Sequence, residues 1–187
     1  MSGRRGRTDG VRKVLGVRKV LGVRKVLGVR KVLVLALGNP DRGDDAVGGL
    51  IAQALAGRLP ADVAVMACRD VLGTIDAWAG FDGLVCVDAA APLGNPGRIH
   101  RLDLAMSPLP ADGSLTSSHA FGLAEVIELA RRLKLAPPQV IVYAVEGRCF
   151  ERGAAMTPAV AAAVRGAADH IVAEIEKWRR HDAAAGP

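Results

Sequence analysis

Aromatic residues are scarce: two Trp, one Tyr and three Phe make up 3% of the 187 residues. With half the chain apolar, a single core built mainly from Val, Leu, Ile and Ala is expected. Cysteine is nearly absent too. Cys68, Cys86 and Cys149 are widely spaced, form no CxxC pair and are mostly flanked by apolar residues. That pattern indicates neither a zinc site nor a disulfide framework, and buried thiols in a reducing cytoplasm are expected. No apolar run approaches the ~20 residues that cross a bilayer, so no membrane insertion is expected. Arg4-Arg5 is not followed by an apolar h-region or a cleavage site, and a cytoplasmic location is expected. A GxGxxG fingerprint, a GxSxG elbow and an HExxH helix are all missing, which removes the usual signatures of dinucleotide binding, α/β-hydrolase chemistry and zincin proteolysis.

The charge is unevenly placed. Residues 1–33 hold eleven Lys/Arg and one acid, so of the net +6 this segment contributes +10 and the rest of the chain −4. The basic character belongs to an appendage, and no nucleic-acid surface is expected on the domain itself. Residues 11–28 are three copies of Val-Arg-Lys-Val-Leu-Gly, with a fourth, Val29 to Val34, ending in Val. A six-residue period turns a helix by about 600° per repeat and mixes Val, Lys and Leu on one face of a strand. Residues 1–28 are therefore expected to be a flexible basic tail. It reads as a tandem duplication of the start of the first strand, or as translated sequence upstream of a later start. A membrane- or nucleic-acid-binding arm is the functional alternative. A single α/β domain is expected over 29–180, and a disordered end over 181–187.

What is abundant is alternation of buried strands with helices. Val32 to Leu37 is an unbroken apolar run, as in a strand covered on both faces. Gly38-Asn39-Pro40 and Gly43 supply turn geometry, and a helix is expected from about Asp44 to Arg58. Further strands are predicted at Val63 to Cys68, Leu84 to Val87 and Val140 to Val145, with an edge strand over Arg98 to Leu104. A short helix is predicted over Gly73 to Trp78, and another over Ala120 to Lys134 with Phe121, Ala124, Ile127 and Ala130 on one face. A last helix opens at Thr157-Pro158 as N-cap and first residue and runs to about Trp178. The order points to an α/β/α sandwich with a largely parallel sheet. Ligands of such sheets bind outside the carboxyl ends of the strands.

Three residues stand at such ends. Asp45 lies in the first strand–helix loop, and Asp88 follows Leu84-Val85-Cys86-Val87. His119 follows Leu115-Thr116-Ser117-Ser118 and precedes a helix. Two carboxylates and an imidazole form a partial coordination set for a borderline divalent ion with positions left open. Spacing alone equally allows a helix cap at Asp44 or Asp45 and a histidine without a ligand; Asp44 is read as such a cap.

The segments Leu35-Ala36-Leu37-Gly38-Asn39 with Gly43-Asp44-Asp45-Ala46-Val47-Gly48, Leu84 to Ala89, and Ser117-Ser118-His119-Ala120-Phe121-Gly122-Leu123 resemble the nickel–iron hydrogenase maturation endopeptidases. So do Asn95-Pro96-Gly97 and Met156 to Val160, all in family order across about residues 32–178. The resemblance implies a three-layer α/β/α sandwich around a mostly parallel, twisted, five-stranded sheet. It also implies an endopeptidase, grouped with aspartic-type enzymes, that removes the C-terminal peptide of a hydrogenase large-subunit precursor after nickel insertion. Carried over, the metal and catalytic residues are Asp45, Asp88 and His119. Asp45 is the shorter acid where other relatives have Glu. Nickel is expected to arrive with the precursor rather than as a held cofactor, and three protein ligands with open positions suit a metal shared across an interface. A monomer is expected. A non-catalytic, nickel-dependent chaperone for the same precursor is the alternative. Gly147 after Glu146, where many relatives have Pro, and the hexapeptide tail depart from the family pattern.

Overall fold

The computed structural model describes residues 31–104 and 122–185, with side chains through 181; the expected tail at 1–28, with its three hexapeptide copies, and His119 lie outside them. Strand β1 (Val32–Leu37) is followed by helix α1 (Val47–Ala54), β2 (Val63–Cys68), β3 (Gly83–Ala90) and β4 (Ile99–Asp103). Helix α2 (Leu123–Arg132), β5 (Gln139–Glu146) and α3 (Pro158–Ala185) complete the order. The five strands form one sheet in the order β2-β1-β3-β5-β4, parallel throughout except for β4, which runs antiparallel to β5 at the edge.

The uninterrupted apolar strands are covered on both faces, and alternation along each strand sorts the layers. Val32, Val34 and Ala36 of β1 join Val85, Val87, Ile141 and Val145 against α1 and α3. Leu33, Leu35 and Leu37 join Leu84, Cys86, Val140 and Val142 against α2 and the 3-10 helix at Leu72–Trp78. The sandwich expected from the alternation of elements is present. Val32, Leu33 and Val34, the last residues of the fourth hexapeptide copy, open the buried strand β1.

Four features differ from the sequence reading. The helix expected from Asp44 is a 3-10 turn (Gly43–Ala46) followed by the shorter α1, and no side chain caps either. Strand β3 does not end at Val87 but runs on to Ala90, because its ladder with β5 continues as far as Glu146. The buried stripe of α2 is Leu123, Val126, Ile127 and Ala130 rather than one containing Ala124. Helix α3 continues past Trp178 through the helix-favouring Ala183-Ala184-Ala185. Val160, Ala167, Ile171 and Ile175 are buried on one stripe, and Trp178 fills space that Gly83 leaves by having no Cβ.

Edge strand β4 is fastened to α3 by a polar network. Arg101 donates Nε and a terminal nitrogen to the two oxygens of Glu174 at 2.7 and 3.0 Å, and the Tyr143 hydroxyl donates to Glu174 at 3.1 Å. The Arg101 guanidinium, together with the Tyr143 hydroxyl, outweighs burial and holds the Glu174 carboxyl below its ordinary range. A folded-state pKa below the unfolded one contributes stability above the unfolded value and loses it as pH falls. Glu174→Gln is therefore expected to lower unfolding free energy at pH 7 by about 1–2 kcal/mol, the half-exposed Arg101 reducing the full value of a charged pair. In urea titrations the gap to wild type should close as pH drops below the ordinary glutamate range; a gap that is constant down to pH about 3 would contradict the assignment.

Candidate active site

Chain order reverses in the sheet between β1 and β3: β2 lies on one side of β1 and β3 on the other. The carboxyl ends at such a switch point are where open α/β sheets place ligands. The loop leaving β1 closes tightly there because two glycines let main chain meet main chain. Gly38 has φ +144°, and a Cβ on it would strike the Asp45 carbonyl. A Cβ on Gly48 would strike the carbonyl of Leu37, so α1 starts directly against the end of β1. The two contacts fold the segment 37–48 back on itself and carry Asp44 and Asp45 inward.

Asp45 sits in the 3-10 turn, buried, with Oδ2 accepting the Asn39 amide at 3.1 Å. Asp88 is buried near the end of β3, with Oδ1 accepting the Ala89 amide at 2.8 Å. The two acids thus stand at the ends of neighbouring strands, and the turn carrying Asp45 packs against β3. Asp88 alternates with Leu84 and Cys86, which places it on the face that α2 covers. His119 is outside the described residues; α2, which starts four residues later at Leu123, lies over that same face. Among the described residues no three His, Cys, Asp or Glu side chains gather as a metal cluster. The donors present are hard carboxylate oxygens, a chemistry that accepts a divalent ion when an imidazole completes the set.

Thiol chemistry is disfavoured at this rim. Burial pushes the Cys68 thiol up to about 12, and the negative charges of Asp88 and Asp70 add to the shift. Cys86 is pushed well above its ordinary value by burial, with Cys68 and Asp88 contributing. Both thiols stay protonated at neutral pH and are poor nucleophiles. All three cysteines are free, and Cys149 is only half-buried, unlike the expectation.

Asp44 has a different task from its neighbour and from the helix cap read in the sequence. Its fully buried carboxylate accepts the amides of Arg148 (2.7 Å), Cys149 (3.0 Å) and Thr157 (2.7 Å), and the Thr157 hydroxyl lies 2.9 and 3.0 Å from its two oxygens. Burial would raise its pKa, but the Cys149, Arg148 and Thr157 amides and the Thr157 hydroxyl overcome that and hold it below the ordinary range. The partners lie 104 to 113 residues away in sequence, beyond any local pattern. The Asp44 amide returns a bond to Cys149 O at 2.9 Å, and Gly153 N donates to Asp41 O at 2.7 Å. Asp44 therefore locks the β5–α3 loop onto the loop bearing Asp45. Asp44→Ala, which removes the buried acceptor of three part-buried amides, is expected to cost about 2–4 kcal/mol in chemical denaturation. The near-isosteric Asp45→Asn should change stability by less than about 1 kcal/mol. Equal losses for the two would refute this division of roles.

Comparison with known proteins fits this geometry. A family model described as hydrogenase maturation protease matches residues 68–174, a span that includes Asp88 and His119 but begins after Asp45. Among solved structures, the chain is similar to the hydrogenase maturating endopeptidase HybD from E. coli, at 25% identity over 79% of this chain and 93% of that one, with a TM-score of 0.65. An endopeptidase from Escherichia coli solved in solution gives 25% identity over the same shares, with a TM-score of 0.69. The hydrogenase maturation protease HycI from Thermococcus kodakarensis shares the fold at 22% identity, over 81% of this chain and 95% of that one, with a TM-score of 0.63. No curated protein matches. With a family model covering more than half of its length, an acid-lined switch point and the same sheet, the chain belongs to the hydrogenase maturation protease family.

Proposed function

We propose that this protein is a processing endopeptidase that removes the C-terminal peptide of a nickel–iron hydrogenase large-subunit precursor, and that nickel already inserted in the precursor is what it recognises. The observation that carries the reading is the burial of Asp45 and Asp88 at the ends of two adjacent parallel strands, at the point where strand order reverses. Buried carboxylates are costly unless they meet a cation or several donors. A metal carried in by the precursor is a cation that both carboxylates can meet.

In this reading Asp45, Asp88 and His119 are the protein's ligands to the substrate nickel. Two anionic oxygens and one imidazole leave positions open for groups that the precursor brings. Hydrolysis also needs a base for water and an acid for the leaving amine. The carboxylates of Asp45 and Asp88 are the bases that the described rim offers, which is the sense in which an aspartic-type grouping applies. One stands in the turn after β1 and the other within β3, rather than as a paired dyad. The closed segment 37–48 and the Asp44 lock keep that rim rigid, which favours a bound, oriented peptide over a mobile one.

Purified protein should shorten a nickel-loaded precursor and leave a nickel-free precursor uncut, read as a mass shift. Asp45→Asn, Asp88→Asn and His119→Gln should each slow cleavage by at least about 10²-fold while keeping the wild-type circular dichroism spectrum. Wild-type cleavage by all three variants, or equal cleavage of the two precursors, would end this reading.

A further inference from the structure

Glu146 ends β5 with its side chain wholly buried. Its Cα is paired with Ala90, while Asp88 is paired with Ala144, so Glu146 and Asp88 lie on the same face one pleat apart on adjacent strands. Its Oε1 accepts the amides of Leu93, at 2.7 Å, and of Asn95. Both belong to the loop that leaves β3 just after Asp88. The other oxygen, Oε2, lies 3.7 Å from His100 Nε2, with no hydrogen bond of its own.

The loop does not need this carboxylate to stay attached to the sheet. Gly147 N donates to Ala90 O at 3.0 Å, Gly97 N to Glu146 O at 2.7 Å and Glu146 N to Arg98 O at 2.9 Å. Main-chain bonds therefore pin both of its ends. An apolar residue in the same buried volume would avoid the desolvation of a charge. What the carboxylate adds is one conformation for the middle of the loop, where Leu93 is held with 47% of its surface exposed. An apolar side chain kept in the open by a buried charge, on the loop that leaves the carboxyl end of β3, is placed to be covered by what binds at that rim.

We infer that Glu146 is a positioning residue: by holding the amides of Leu93 and Asn95 it presents Leu93 as an apolar contact for the precursor segment that enters beside Asp88. This rests on the reading of the protein as the precursor's protease. Glu146 touches no reacting atom and acts through the loop.

The test is steady-state cleavage of the nickel-loaded precursor by wild type, Glu146→Gln, Glu146→Ala and Leu93→Ser, each with its thermal melt. Leu93→Ser and Glu146→Ala should raise KM by about tenfold with kcat within about twofold of wild type. Glu146→Gln keeps an oxygen for both amides and should restore KM to within about twofold of wild type. A merely structural role would lower the melting temperature and the active fraction but leave the KM of the folded enzyme unchanged. If Glu146→Ala does not fold, Leu93→Ser and Glu146→Gln decide. An unchanged KM in Leu93→Ser, or a Glu146→Gln enzyme with a KM raised about tenfold, overturns the inference. A wild type that leaves the precursor uncut defeats the protease reading, and this inference with it. A wild type that cuts while Leu93→Ser keeps its KM defeats the inference alone.

Discussion

The buried carboxylate of Asp44 is the interaction on which the rim of this sheet depends. Three amides and a hydroxyl from residues 148–157 converge on it, so the exit of the last parallel strand and the start of α3 are tied to the exit of the first strand. A charge without solvent is tolerable when donors surround it, and then each donor that is lost leaves another buried polar group unpaired. The neighbouring Asp45 is consequently presented from a loop that has little freedom left.

Sheet topology explains why that rigidity serves chemistry. Strands β1 and β3 diverge in their connections, and the two acids proposed as ligands stand at their ends. Main chain meets main chain at Gly38 and Gly48, which brings the turn bearing Asp45 down against β3. Glu146, two residues before Arg148, fastens the loop after Asp88 from the other side. The exit of β5 thus lies between two buried carboxylates, one its own and one supplied by the first loop, and it couples the loop bearing Asp45 and the loop that follows β3 to a single strand end.

The far edge follows a different logic. An antiparallel strand with half-buried residues closes the sheet, and its attachment to α3 runs through Arg101, Glu174 and Tyr143. Apolar burial fastens the central strands, whereas at the edge a charged pair fixes register where apolar surface is short. Scarce aromatics reinforce the division: Tyr143 is used for its hydroxyl, and Trp178 fills the gap over Gly83.

Much of the architecture was legible in the sequence. Apolar runs at Val32 to Leu37, Leu84 to Val87 and Val140 to Val145 mark strands with two covered faces, because only a sheet between helices hides every side chain of such a run. The alternating Arg98 to Leu104 segment marked the edge strand for the converse reason. Motifs around Asp45, Asp88 and His119 singled out the residues that are proposed as ligands. Three things were not legible. Whether a helix starts at Asp44 depended on the side chain finding stronger donors more than 100 residues away. The length of β3 depended on a ladder partner rather than on its own composition. Glu146 looked like a strand end and became a buried anchor. Local periodicity reports which face of an element is apolar, and that alone sets the elements and layers. Which polar atoms meet inside is decided by strand order and loop closure, since the cost of burying a charge is settled only by the donors that the whole fold brings to it.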